Sequence, residues 1–309
     1  MRVVFFGTSE FALPSLEQLV ARQHAVVLCV TQPDRPQGRG LALEPSPVKQ
    51  AAVRLRLPLA QPERLDATIF KTLPQGVDVG VAAAYGQLIR PAVLRGPAHG
   101  ILGVHPSLLP KYRGAAPVAW ALLNGDTETG VTIYRLNERL DAGEIVVQER
   151  AAIEPHEDAG TLTQRLAVMG AAALLNALEL IEQGRAVFAP QHDEDASVAP
   201  KLAKAQGRIE WNAPAQRLVR LIRGMTPWPG ASAEWHGEVL KVWSASAGQA
   251  EGKASEPPGT VMSVAGGVLV VSTGDGALHI TEVQPPGRRR MSVKEFLAGH
   301  HIQAGEQLG

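Results

Sequence analysis

Three short apolar runs early in the chain, each ended by small or polar residues, limit the folds that it can adopt. Val3–Phe6 is followed by a predicted helix over Phe11–Ala21 and by a second run over Val26–Thr31, which is the order of a parallel βαβ unit. Asp78–Ala84 is apolar almost throughout, as strands buried on both faces are. The sequence therefore predicts an α/β N-terminal domain with a Rossmann-like, open, parallel-rich sheet.

Composition and charge narrow the classes of function. Thirty basic and thirty acidic side chains cancel over the 309 residues, so any nucleic acid contact must come from a local patch. The first turn, Gly7-Thr8-Ser9-Glu10, lacks the later glycines of a dinucleotide site, which disfavours a nicotinamide cofactor. The one cysteine, Cys29, lies in an apolar run, and the nine histidines are scattered. We therefore expect neither disulfides nor a metal site.

The last third of the chain has a different pattern. A helix predicted over Ala213–Gly224 is followed by short strand-like runs separated by glycine turns, which are typical of a small β-barrel of the oligonucleotide-binding (OB) type. The predicted strands are Ala233–Trp235, Leu240–Ser244, Gly259–Ser263, Val268–Ser272 and Leu278–Val283. The stretch before the helix has prolines, an acidic run and no apolar periodicity. The predicted domains are 1–187 and 207–309, joined by a linker over 188–206.

One histidine and one carboxylate stand where predicted strands end. His105 follows the apolar run Ile101–Val104, and the turn Leu140-Asp141-Ala142-Gly143 precedes the run Ile145–Gln148. Open α/β sheets place their ligands at such strand ends, so the two side chains could converge on one pocket. Taken singly, each is more often an ordinary turn than a catalytic residue, and only their combination is specific.

That combination resembles a known family. The run His-Pro-Ser-Leu-Leu-Pro-Lys-Tyr-Arg-Gly-Ala-Ala-Pro at 105–117, followed by Leu-Asp-Ala-Gly-Glu at 140–144, resembles the folate-dependent formyltransferases. The resemblance implies 10-formyltetrahydrofolate as the formyl donor, no metal, and His105 and Asp141 as catalytic residues. The asparagine of the family motif is Gly103 here, so its side-chain donor is missing. The implied folate-pocket residues are Ser107, Leu108, Leu109, Pro110, Tyr85 and Gly86.

The proline- and glycine-rich stretch at 31–49 extends the resemblance to one branch of the family. It is longer than a usual βα connection, and it carries Arg35 and Arg39, the latter between two glycines. It resembles the loop by which the members that formylate methionyl initiator tRNA contact the acceptor end. The resemblance implies the same acceptor here. The implied tRNA-binding residues are Arg39, Arg35, Lys201, Lys204 and Arg208.

Two alternatives to that function stay open. A sugar-nucleotide N-formyltransferase would share the cofactor and the His and Asp motifs, although the loop around Arg39 argues against it. A catalytically weakened folate- or tRNA-binding homologue would follow if Gly103 abolished turnover. The chain begins without a signal-peptide pattern and contains no run of eighteen apolar residues, so we expect a cytoplasmic protein without membrane association. We also expect a monomer, although no sequence pattern determines the oligomeric state.

Overall fold

A computed structural model describes residues 1–37, 42–66, 68, 76–249 and 256–309. The chain divides into two compact units. The first consists of Met1–Pro117, Glu128–Ala152 and Thr163–Ala199, and the second consists of Val118–Thr127, Ile153–Leu162 and Pro200–Gly309. Most of the segment predicted as a linker thus belongs to the first unit. The domain limits drawn from the sequence remain a prediction.

The first unit is built on a seven-stranded sheet in the order β10-β9-β7-β6-β1-β2-β5. The same unit also contains two short two-stranded pairs, β3 with β4 and β8 with β11. The strands are β1 Arg2–Gly7, β2 Ala25–Val30, β3 Arg35–Gln37, β4 Ala42–Glu44, β5 Leu59–Ala60, β6 Val79–Ala83, β7 Ile101–His105, β8 Arg113–Gly114, β9 Glu128–Arg135, β10 Ile145–Ala152 and β11 Val198–Ala199. Strands β1, β2, β5, β6 and β7 run parallel, and β9 and β10 add two antiparallel ladders. The predicted α/β class with a parallel-rich sheet is confirmed.

Parallel pairing decides which residues meet at one edge of this sheet. Because β1, β6 and β7 are neighbours with one direction, Gly7, Ala83 and His105 end their strands on the same side. Strand β9 runs antiparallel to β7, so Thr132 lies opposite His105 and Tyr134 lies opposite Gly103. The register therefore places an aromatic residue beside the glycine that stands two positions before the histidine.

Proline begins several of the helices that the chain forms. Pro14, Pro47 and Pro91 occupy first-turn positions, where the missing N–H costs nothing and the fixed φ suits a helix. The hydroxyl of Ser46 also accepts from the Lys49 N–H and so satisfies one free donor of its helix. The helices up to residue 199 are α1 Leu13–Ala21, α2 Pro47–Arg54, α3 Pro91–Leu94, α4 Pro117–Asn124 and α5 Ala159–Glu182.

The second unit contains an antiparallel sheet in the order β12-β13-β16-β15-β14, with a short strand β17 paired to β16. Its elements are α6 Ala215–Met225, β12 Ala231–Trp235, β13 Glu238–Gly248, β14 Val261–Ala265, β15 Val268–Ser272, β16 Ala277–Gln284, β17 Met291–Ser292 and α7 Val293–Leu297. All five predicted strands overlap observed ones. In the described part of the chain no ladder joins β12 to β14, so the sheet predicted as a barrel does not close by strand pairing.

Helix α6 packs its apolar side into the core of this unit. Leu218, Ile222 and Met225 are almost fully buried, whereas Arg217 and Arg220 are exposed. The spacing of three and four residues is that of an amphipathic helix lying on a sheet. Truncating one such side chain, Ile222, to alanine is expected to cost about 2 to 5 kcal/mol of stability.

One helix also has the length and composition of a membrane span. An 18-residue window of α5 has a mean hydropathy of 1.3, and half of that window is buried inside the protein. The core helix of a water-soluble protein satisfies the same test, so this property alone says nothing about a membrane.

Candidate active site

His105 is held firmly at the end of a strand that is buried along its whole length. The residue is 6% exposed. Its Nε2 lies 2.9 Å from the backbone oxygen of Tyr112, and since a carbonyl oxygen only accepts, Nε2 carries the hydrogen. In the neutral ring, Nδ1 then holds the free lone pair. The fold thus fixes both the orientation of the imidazole and its tautomer.

Asp141 faces that free nitrogen. Its Oδ2 lies 3.8 Å from Nδ1 of His105, which is too long for a direct hydrogen bond. The same oxygen accepts from the Gly114 N–H at 2.8 Å, and Oδ1 accepts from the Tyr134 hydroxyl at 2.6 Å. The backbone of Asp141 has φ 47°, a left-handed conformation that aspartate tolerates better than most residues. The predicted pair therefore does meet in the first unit.

Tyr134 is a member of this cluster that sequence reasoning did not single out. Its ring lies across Gly103: an ideal Cβ at position 103 would be 2.4 Å from Cε1 of Tyr134 and 2.7 Å from Cδ1 of Leu136. Burial, and then the charge of Asp141, raise the pKa of the Tyr134 phenol well above its usual range. The phenol therefore stays protonated and remains a hydrogen-bond donor. The signal that could have revealed it is the pairing of a glycine with an aromatic residue on the neighbouring strand.

The turn that carries Asp141 is fastened from the segment predicted as a linker. Gln191 donates from Nε2 to the backbone oxygens of Asp141 at 2.9 Å and Gly143 at 2.7 Å. Its Oε1 accepts from the guanidinium of Arg113. Asp193 accepts from Arg139 and Arg113, and those hydrogen bonds lower its pKa. Both residues were missed because the segment lacks any apolar periodicity.

The loop after His105 is braced through its backbone. Thr132 Oγ1 donates to the Ser107 oxygen at 2.7 Å and accepts from the Leu109 N–H at 3.1 Å. Gln148 adds a bond to the Leu109 oxygen at 2.9 Å. Ser107 Oγ donates to the Lys111 oxygen, so the serine holds the loop's shape, and Leu109 is buried. Leu108 and Pro110 stay partly exposed and are the surface this loop offers.

Tyr85 and Gly86 lie just past the end of β6. The Tyr85 ring packs edge-on against Phe6 in the core, and burial raises the pKa of its phenol to about 12. Its backbone oxygen accepts from Thr8 and Gln32. Gly86 is exposed. The tyrosine side chain thus belongs to the wall of the domain, and the adjoining glycine is the part that solvent reaches.

The predicted tRNA-binding residues fall in different parts of the chain. Arg39 lies outside the described residues. Arg35 is exposed and stands opposite Glu44 in the β3–β4 pair. Lys201, Lys204 and Arg208 are exposed in the second unit, and within the described ranges none of them makes an ion pair. Arg290, also in that unit, pairs with Glu282 instead. Among the residues described, no group of three or more His, Cys, Asp or Glu side chains could hold a metal ion.

Comparison with known proteins decides the family. A model described as formyl transferase matches residues 1–178, and one described as formyl transferase, C-terminal domain, matches residues 201–301. The chain belongs to the formyl transferase family. The resemblance inferred from residues 105–117 and 140–144 is confirmed. A relative from Pelotomaculum thermopropionicum named methionyl-tRNA formyltransferase is 46% identical, and the alignment covers 100% of this chain and 99% of the relative.

Solved structures share the fold of this formyl transferase at low sequence identity. HypX from Aquifex aeolicus in complex with tetrahydrofolic acid has a TM-score of 0.66 at 19% identity, covering 99% of this chain and 50% of HypX. The chain thus spans about half the length of that protein. An N-formyltransferase from Helicobacter canadensis, in complex with folinic acid and dTDP-3-aminofucose, has a TM-score of 0.68 at 15% identity, covering 92% of this chain and 99% of that one.

Proposed function

We propose that this chain transfers the formyl group of 10-formyltetrahydrofolate to the free amino group of methionyl initiator tRNA, in the initiation of translation. The observation that carries the proposal is the 46% identity with a methionyl-tRNA formyltransferase over the full length of both chains, C-terminal domain included. The His105–Asp141 pair supplies the chemistry that such a transfer needs.

The formyl donor is a co-substrate, and the loop from Ser107 to Pro110, with Gly86, is the proposed place for it. The loop is rigid because Thr132 and Gln148 brace its backbone. Leu108 and Pro110 offer apolar surface beside backbone groups that can hydrogen-bond, which is how small-molecule sites fix a ring and its orientation. Solved structures of the same fold hold tetrahydrofolic acid or folinic acid.

The transfer itself is an attack by nitrogen on carbon. The lone pair of the methionyl amine forms a bond to the formyl carbon, and the carbonyl electrons move to oxygen, which becomes negatively charged. Collapse of this intermediate breaks the bond to N10 of the folate, and N10 takes up the proton that the amine loses. Holding the two substrates together supplies about 7 to 11 kcal/mol of the barrier reduction.

His105 and Asp141 act on the two charged groups of this reaction, the oxyanion and the amine that loses its proton. In its imidazolium form, His105 offers Nδ1–H to the developing oxyanion, because Nε2–H is already bonded to the Tyr112 oxygen. Losing one such donor typically costs about a hundredfold or more in rate. Asp141, 3.8 Å from Nδ1, stabilises the imidazolium; it also receives the amine's proton through water and passes it on to N10 when the intermediate collapses. Both groups are already oriented before substrate binds, because each also bonds to the protein backbone.

The tRNA contacts are proposed for the exposed basic residues. The acceptor end is assigned to Arg39 and Arg35, and the phosphate backbone is assigned to Lys201, Lys204 and Arg208. The three in the second unit have no acidic partner in the described ranges, so their charge is available to a polyanion. Since the chain as a whole has no net charge, binding depends on these local cations. We further propose that the protein acts as a cytoplasmic monomer, which light scattering of the purified chain tests.

The decisive experiment is formylation of methionyl initiator tRNA by the purified protein with 10-formyltetrahydrofolate. A dTDP-amino sugar replaces the tRNA in a parallel reaction, and uncharged tRNA is added to both as a competitor. Turnover of the methionyl-tRNA, inhibited by uncharged tRNA, supports the proposal. Turnover of the amino sugar alone would reverse it. Binding of both substrates without turnover would identify the weakened homologue.

A further inference from the structure

One hydroxyl in the candidate active site has no part in the mechanism above. The Tyr134 phenol donates to Oδ1 of Asp141 at 2.6 Å, while the other oxygen of that carboxylate bonds to Gly114 and faces His105. The ring of Tyr134 also meets the ring of His105 edge to face, with centroids 6.4 Å apart. A single side chain thus touches both members of the catalytic pair.

Filling space does not account for this hydroxyl. A phenylalanine would occupy the same volume over Gly103, and it would not bring a buried polar group into the first unit. The hydroxyl of Tyr85, also buried in that unit, has no hydrogen-bond partner, so this fold does not pair every buried phenol. The hydrogen-bond partner of Tyr134 is the carboxylate of Asp141, which faces His105. The position of the tyrosine hydroxyl is therefore matched to that carboxylate.

The glycine at position 103 is the other half of the arrangement. Gly103 and Tyr134 are direct partners across the β7–β9 ladder, and any Cβ at 103 would lie 2.4 Å from the tyrosine ring. Such an approach is shorter than van der Waals contact, so the ring and a side chain at 103 exclude each other. Strand β7, which carries His105, has no side chain at position 103, and the Tyr134 ring of strand β9 occupies that space.

We propose that Tyr134 is a positioning residue for formyl transfer, which fixes the carboxylate of Asp141 so that Oδ2 faces Nδ1 of His105. This inference rests on the proposed function for the reaction it serves. The Tyr134 phenol donates to Oδ1 of Asp141, and the Gly114 N–H donates to Oδ2. Because both oxygens of the planar carboxylate are hydrogen-bonded, its rotation is restricted. The phenol remains a donor across the physiological range, because its pKa is raised well above its usual value.

The kinetic test is a double-mutant cycle with Tyr134→Phe and Asp141→Asn. Tyr134→Phe keeps the ring over Gly103, and we expect kcat to fall about 10- to 100-fold, the range that misplacing a reacting group costs, with both KM values unchanged. If the phenol acts through Asp141, adding Tyr134→Phe to Asp141→Asn costs less than twofold more. A kcat within twofold of the parent, or fully additive losses, would overturn the inference.

A spectroscopic test does not depend on the acceptor. In protein labelled with ¹⁵N-histidine, the His105 ring signals are assigned from their loss in His105→Gln, and Tyr134→Phe should move them while the other eight histidines stay unchanged. Unmoved His105 signals would contradict the positioning role. If the parent protein fails to formylate methionyl-tRNA, the proposed function falls, and these signals still decide the role of Tyr134.

Discussion

The two regions assigned to the reaction differ in how their polar groups are held. In the candidate active site, the side chains of His105 and Asp141 bond to the protein's own backbone or to a neighbouring side chain. Lys201, Lys204 and Arg208, in the second unit, are exposed and make no ion pair in the described ranges. Chemistry requires groups that are oriented beforehand, whereas a phosphate chain requires cations left free for it. Changes in the first region should therefore alter kcat, and changes in the second should alter KM and its salt dependence.

The largest effect is expected at His105. His105→Gln removes the imidazole that we propose as the donor to the developing oxyanion, so kcat should fall about 100-fold or more, with the KM for tRNA little changed. Steady-state formylation kinetics at saturating folate measure both. His236→Gln is the matched control, because that histidine is exposed in the second unit and contacts Trp235 and Glu306. If His105→Gln instead raised only the KM for tRNA, His105 would serve tRNA recognition, and the proposed difference between the two regions would be wrong.

Gly103→Asn tests whether the glycine and Tyr134 are matched. The new side chain would meet the tyrosine ring, so we expect the free energy of unfolding to fall by about 1 to 3 kcal/mol, the usual cost of overpacking, and activity to fall with it. In a Tyr134→Ala background the ring is gone, and the same substitution should cost clearly less. Urea unfolding of the parent, Gly103→Asn, Tyr134→Ala and the double variant measures the coupling between the two positions as a double-mutant cycle. Equal costs in both backgrounds would mean that the two positions are independent.

Gln191→Ala should reduce kcat about tenfold at an unchanged KM. The turn that carries Asp141 loses two hydrogen bonds, so the carboxylate that we propose to be catalytic becomes less well placed. Gln183→Ala, which removes an exposed glutamine from the end of the long helix, is the control. Should Gln191→Ala raise the KM for tRNA instead, this segment would belong to the recognition region.

The smallest effects are expected for the free cations. Lys204→Ala and Arg208→Ala should each raise the KM for tRNA a few-fold and lower the slope of log(kcat/KM) against log salt by about 1, because each removes one phosphate contact. Arg290→Ala is the control, since that guanidinium is paired with Glu282. Titration of activity with KCl measures the slopes. If the slope is unchanged in both variants, Lys204 and Arg208 do not contact the phosphates of the tRNA.

Much of the fold and part of the candidate active site could be predicted from local sequence. Val3–Phe6 and Asp78–Ala84 are apolar runs of the length and composition of buried strands. His105 ends such a run, and Asp141 stands in the turn before another. The same local logic found five of the six strands that the structure describes in the second unit, and it missed the short strand β17. Each of these inferences uses residues within a few positions of one another along the chain.

The remainder depends on contacts between residues distant in sequence. Tyr134 becomes relevant only when the β7–β9 register sets it opposite Gly103, 31 positions earlier, and no local pattern encodes that pairing. Gln191 was assigned to a linker because its neighbours are polar and include prolines. Its bonds to the turn at Asp141 span 50 residues. Register and long-range side-chain hydrogen bonds follow from the whole fold.

The second compact unit is not continuous in the chain, and this has a consequence for synthesis. Residues 118–127 and 153–162 belong to it, and Arg223 donates to the backbone oxygens of Glu154 and Glu157. The arginine follows Glu157 by 66 residues. At about 5 to 20 residues per second, a ribosome delivers it roughly 3 to 13 seconds later. The early segments must wait that long for their partner, so this unit cannot complete its folding until Arg223 has been synthesised.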